Sequence, residues 1–216
     1  MRRTTRITAI TAAALMTAAG AAVTTASATP QATWTVSNPS ANDTFTAVNT
    51  SGVSAVLTNV TTGATITCAV YGANGTAVDG TYASGAGLAT IASATFGTTA
   101  NKCNGPLGSK WVSSSAQPMK LNGVSYAGGV TKGTLTSIKV NLTGTSLLGT
   151  CTATIEGSAN TGSYSNTGVL EIVPDATPAL TVTAASGACA GLINTGNKAK
   201  FGAKYQVTPA ITVTSP

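Results

Sequence analysis

The chain has 216 residues, of which 7% are charged against about 25% in an average soluble domain, and its formal net charge of +6 includes three arginines within the first six positions. Beyond those arginines, eight lysines stand against five acids, too scattered for the clustered basic stripe that a nucleic-acid footprint needs. There is no histidine, so a Ser-His-Asp or Cys-His arrangement and a histidine metal site are both excluded.

Arg2, Arg3 and Arg6 open the chain, an apolar, alanine-rich stretch runs from about Ile7 to Val23, and Ala26-Ser27-Ala28 follows. This order of basic start, apolar run and small-x-small site predicts a secretory signal peptide over 1–28. The run is too short and too threonine-rich for a transmembrane helix. Cleavage after Ala28 leaves no transmembrane segment, and the expected location is extracellular or at the cell surface. Low charge combined with abundant Thr, Ser, Asn and Gly then reads as a β-rich exported protein whose hydroxyls solvate the surface, not as disorder.

The remaining elements read as strands. Trp34-Thr-Val36 comes first. Ser54–Val60 and Ala64–Tyr71 flank a Thr61-Thr62-Gly63 hairpin signal. Within the second of these, alternation puts Ile66, Cys68 and Val70 on one face and Thr65, Thr67 and Tyr71 on the other. Leu88–Phe96 is expected to turn Leu88, Thr90, Ala92, Ala94 and Phe96 to one side. Thr136–Leu142 turns Ile138, Val140 and Leu142 inward, and the next strand does the same with Cys151, Ala153 and Ile155. Val169–Val173 and Leu180–Ala184 follow. The clearest alternation is Lys200–Val207, where Phe201, Ala203, Tyr205 and Val207 should be buried while Lys200, Lys204 and Gln206 reach solvent, since a slip of one residue would bury both lysines. Ile211-Thr-Val213 closes the series. No segment has the 3.6-residue period, so almost no helix is expected.

Landmarks recur. Thr65–Gly72 and Gly149–Gly157 each carry a cysteine, and a Gly-x-Tyr step and a second cysteine follow each. The pairs Cys68/Cys151, Tyr82/Tyr164 and Cys103/Cys189 are separated by 83, 82 and 86 residues. This near-constant period predicts an internal duplication, with a first β repeat over 29–116 and a second over 117–216, either two small antiparallel β-sandwiches or the halves of one. Four cysteines behind a signal peptide predict two disulfides. The repeat favours Cys68–Cys103 and Cys151–Cys189, with pairing across the copies as the rival. No Cys-x-x-Cys pair is present to suggest zinc.

Cys103-Asn-Gly-Pro-Leu-Gly108, Leu121-Asn-Gly-Val-Ser-Tyr126, Gly149-Thr-Cys-Thr-Ala-Thr-Ile155, Cys189-Ala-Gly-Leu192 and Tyr205-Gln-Val-Thr-Pro209 together resemble a group of small secreted actinobacterial proteins with four cysteines. That resemblance implies export and an all-β fold. The group has no assigned activity, so no catalytic residue is implied.

Catalytic chemistry is thinly supplied. Glu156 and Glu171 are the one carboxylate pair with a glycosidase reading, which requires them to face one another across a set gap; two solvated strand charges are the simpler expectation. Tyr82 and Tyr164, at matching places, and Trp111, after the Gly/Pro loop, form a candidate ligand platform, against the commoner role of such rings as core or corner residues. Thr-x-Thr runs such as Thr150/Thr152/Thr154 follow β propensity and are not evenly repeated. The expected function is an exported, non-enzymatic protein with a structural or binding role, without cofactor or metal; the sequence does not identify its partner, the candidates being a cell-envelope component and an apolar small molecule. The alternatives are a carrier of an apolar small molecule and a glycan-active enzyme.

Overall fold

The computed structural model describes residues 33–189 and 191–216; the expected signal segment over 1–28 lies outside them. Among the described residues there is no α-helix, only a single 3-10 turn at Pro106–Gly108 and sixteen strands. These are β1 (Trp34–Ser37), β2 (Thr44–Asn49), β3 (Ala55–Asn59), β4 (Thr65–Cys68), β5 (Tyr71–Thr76), β6 (Gly80–Tyr82), β7 (Ala89–Phe96), β8 (Cys103–Asn104), β9 (Lys110–Ser115), β10 (Met119–Ala127), β11 (Val130–Ser146), β12 (Gly149–Ser165), β13 (Val169–Ile172), β14 (Leu180–Gly187), β15 (Lys198–Thr208) and β16 (Thr212–Thr214).

Thirteen strands form one antiparallel sheet whose hydrogen bonding returns on itself twice. One circuit runs β11–β12–β13–β15–β2–β5–β7–β10 and back to β11. The other runs β11–β12–β14–β15–β3–β4–β8–β9 and back to β11. Both share β11, β12 and β15, which are long enough to serve one circuit with one end and the other with the other end. Val130–Thr136 of β11 borders β10, while Val140–Thr145 borders β9. Closure satisfies strand edges that would otherwise offer unpaired N–H and C=O groups to other chains.

The sequence makes this division at a bulge. Leu135 pairs with Ala159 and Ile138 with Gly157, so Thr136 and Ser137 on one strand face the single Ser158 on the other. Ser137 takes the left-handed conformation, with φ 59°, and Gly157 sits at φ 142°. The bulge bends the strands and lets Leu135 and Ile138 both point inward despite their odd spacing. A Cβ on Gly157 would lie 2.2 Å from the Ala179 carbonyl oxygen, so the close approach of β14 requires glycine there.

A separate three-stranded sheet, β16–β1–β6, covers the end of the first circuit. Trp34 lies over Gly123, where a Cβ would meet its ring at 2.7 Å. The Asn166 side chain holds β16 as a strand would: its amide donates to the Val213 carbonyl and its oxygen accepts from the Val213 N–H, both at 3.0 Å. One contiguous apolar core fills the interior from Trp34 and Val36 through Phe45, Ile91 and Ile155 to Ile193. The described residues belong to one compact unit.

Both disulfides join the expected pairs, Cys68–Cys103 and Cys151–Cys189, closing loops with sequence separations of 35 and 38. They fit an oxidising compartment, which for most proteins means outside the cytosol. Among the described residues no helix is long and apolar enough to cross a membrane.

Some face assignments differ from the alternation. Tyr71 is buried and Val70 exposed, the reverse of the expectation, because the strand breaks between Cys68 and Tyr71 and the chain turns a corner into β5. In β7 the inward residues are Ile91, Ala94 and Phe96, and Ala92 is exposed. A bulge causes this: Asn74 pairs with Ser93 but Gly75 with Ile91, so Ala92 is left unpaired and the phase flips. Ala203, Tyr205 and Val207 are buried as expected, whereas Phe201 is only half-buried, with its ring edge-on to Phe96. Lys200 and Lys204 are also only part-exposed: Lys200 pairs with Thr58 of β3, and Lys204 lies opposite Glu171 of β13, with which it forms an ion pair.

Candidate functional site: the turns around Trp111

The two glutamates do not face each other. β13 does not pair with residues 151–157; β14 does, and β13 lies instead against Gly162–Tyr164. Glu156 forms an ion pair with Lys139 on β11 at 2.9 Å, and Glu171 with Lys204 on β15 at 3.7 Å. Neither lines the interior cavities. Among the other carboxylates, Asp79 accepts from the Asn38 N–H and Asp43 from the Asp79 N–H, so both fasten loops at the β1/β6 end.

Tyr82, Tyr164 and Trp111 are not gathered into one platform. Tyr82 stands in β6 opposite Trp34, its hydroxyl donating to the Val78 carbonyl at 2.7 Å. The Tyr164 hydroxyl donates to the Ile211 carbonyl at 2.8 Å and accepts from the Ile211 N–H at 2.7 Å, pinning the approach to β16. Burial raises its pKa, and that backbone bond only partly offsets the rise. Trp111 belongs to the other end of the molecule.

Two apolar cavities of about 70 Å³ each lie inside the circuits. Leu170 and Ile172 line both. The cavity nearer β1 has one polar irregularity: the buried Thr131 hydroxyl has no hydrogen-bond partner among the described residues. Each is less than half the size of an apolar cavity of roughly 150 Å³ that binds benzene.

The end of the second circuit has a different character. Four connections emerge there: 60–64 between β3 and β4, 105–109 between β8 and β9, 147–148 between β11 and β12, and 188–197 between β14 and β15. Lys110 pairs with Thr145 and Trp111 with Gly144, so the turns at 105–109 and 147–148 leave the sheet side by side. Trp111 is wedged between the 105–109 turn and β11. A Cβ on Gly105 would meet its indole at 2.2 Å and one on Gly144 at 2.5 Å. Its Nε1 donates to Ser109 Oγ at 2.7 Å, and Ser109 Oγ in turn donates to the Pro106 carbonyl at 2.7 Å. The neighbouring turn is tied by Ser146 Oγ, which accepts from the Leu148 N–H at 3.2 Å.

These stiffened turns present leucines. Leu107 is 77% exposed, Leu147 104% and Leu148 68%, the three highest values among the exposed large hydrophobic residues apart from Val124 at 69%. Leu107 also adopts φ 55°, a left-handed conformation that costs a non-glycine residue about 1 kcal/mol or more. Backbone strain held at an exposed apolar residue is the kind of outlier that points to use. Sequence reading passed over these residues, although Leu147-Leu148 fills a two-residue hairpin loop that normally takes Gly, Asn or Asp.

Comparison with protein families, with characterised proteins and with solved structures finds no match.

Proposed function

We propose that the protein is an exported, non-catalytic binding protein that acts at a cell envelope through the end of the molecule bearing Leu107, Leu147 and Leu148. The observation that carries this reading is the pair of rigid turns holding leucines in solvent. Leucines left in water cost free energy that burial against a partner would recover, on the order of 1.5–3 kcal/mol per side chain. The leader over 1–28, the two disulfides and the low charge support export. The matching spacing of the cysteines and tyrosines supports descent of the two halves from one duplicated unit. The test is retention of purified protein on washed bacterial envelopes. Most of the wild-type protein is expected in the envelope pellet; recovery in the supernatant equal to that of an inert control protein would overturn the reading.

A second reading, a carrier of a small apolar molecule, is favoured by one observation, the unpartnered Thr131 hydroxyl at an otherwise apolar cavity. A ligand with one polar atom would satisfy it, provided the cavity opened beyond its present volume. Native mass spectrometry separates the two: a carrier leaves its producing culture with a bound mass, and a surface-binding protein does not.

A further inference from the structure

We propose that the leucine-bearing end docks on an anionic lipid bilayer, with Leu107, Leu147 and Leu148 entering the headgroup–acyl boundary and the lysines around them meeting the headgroups. The proposal rests on the envelope reading and names the component bound.

Three observations select a bilayer. The first is shape. The leucines are separate projections on two adjacent hairpin tips, fully or largely exposed, and not the walls of a groove or a broad flat patch. A protein partner would need matching hollows over an interface of roughly 1,000 Å² or more, whereas a bilayer receives apolar projections without shape matching.

The second is charge. Lys102 and Lys110 flank the 105–109 turn and Lys198 begins β15 beside the 188–197 connection, and all three are exposed. None of the four connections at this end contains an aspartate or glutamate. The loop carboxylates Asp43 and Asp79 belong to the opposite end, beside β1 and β6. Lys132 lies in the first circuit, on the half of β11 that borders β10, so what sets the leucine end apart is lysines beside connections that carry no carboxylate. Lysines close to an anionic leaflet add attraction that fades within a Debye length.

The third is rigidity. The Trp111 wedge and the Ser109 hydrogen bonds fix the 105–109 turn, and the Ser146 hydrogen bond ties the 147–148 turn, before any contact is made. Little ordering entropy is then lost on docking.

The experiment is co-sedimentation with large unilamellar vesicles of phosphatidylcholine alone or mixed with phosphatidylglycerol, at low and high salt, alongside bacterial envelopes stripped of lipid. Wild-type protein is expected to pellet with the anionic vesicles, more weakly with the neutral ones, and to be released by salt. The double variant Leu147→Ser/Leu148→Ser should lower the partition coefficient about tenfold or more, and Lys102→Gln/Lys110→Gln should remove most of the preference for phosphatidylglycerol. All four side chains are exposed, so thermal unfolding should match wild type in each variant; Leu107→Ser provides a third variant on the separate turn if either double variant fails to fold. Wild-type protein that ignores anionic vesicles, or leucine variants that bind them as wild type does, would overturn the proposal. Binding to lipid-stripped envelopes without binding to vesicles would overturn it and leave the envelope reading standing. Binding to neither would remove both.

Discussion

Tyr164 shows how a candidate ligand contact becomes a fastening. Its hydroxyl both donates to and accepts from Ile211, a residue only 5% exposed. Tyr164→Phe leaves an N–H and a C=O without that partner, and should destabilise the fold by about 1–3 kcal/mol, read as a lower denaturant midpoint at unchanged slope. Burial also raises the pKa of Tyr71 and Tyr205, in Tyr205 helped by the nearby Tyr71. A raised pKa means that the folded state holds these protons longer than the unfolded state does. The associated stability is fully present below the unfolded tyrosine value of about 10 and is lost as pH rises through and beyond it. Denaturant midpoints should therefore fall between pH 9 and 11; a flat profile there would show that these hydroxyls are not held as described. The fastening roles of Tyr82 and Tyr164 were legible in the sequence, because such tyrosines commonly end on backbone. The partner of Tyr164 was not, since Ile211 lies 47 residues from Tyr164 and no local pattern links the two.

The strands teach the same lesson at their bends. Alternation located β15 and the inward face of Ile138, Val140 and Leu142, because a strand flanked by neighbours on both sides keeps its register. It failed in β7 and at Tyr71, where a bulge and a corner each shift the phase by one residue. The recurring cysteine-bearing stretch Gly149–Gly157 is only part of a strand: β12 bends at Gly157 and runs on to Ser165. The disulfide pairing was legible for a different reason, a spacing repeated in two places. Each bridge removes about 4 kcal/mol of chain entropy from the unfolded state in the loop-closure account. The wedge of Trp111 was not legible, because it depends on Gly105 and Gly144 meeting across two strand pairs. Gly144→Ala should push the indole aside and destabilise the protein by roughly 1–3 kcal/mol, with a shift in tryptophan emission. An unchanged spectrum and midpoint would show that the wedge is not tight.

For the molecule as a whole, β15 is the strand that completes both circuits, and it does so with β2 and β3 from the other half of the chain. Residues 33–116 or 117–216 expressed alone should lack a cooperative unfolding transition, while the whole chain should show one; a folded half by NMR dispersion would contradict this. Thr46 accordingly meets Thr208 across 162 residues of sequence. Contacts so distant are costly in loop entropy to form and slow the search. A chain made from its N-terminus therefore cannot seal either ring while β15 is still missing, however much of β1 to β14 has already appeared. Until then β2 and β3 lack their β15 partners. The position of one late strand thus delays the closure of both rings until the residues of β15 have been made.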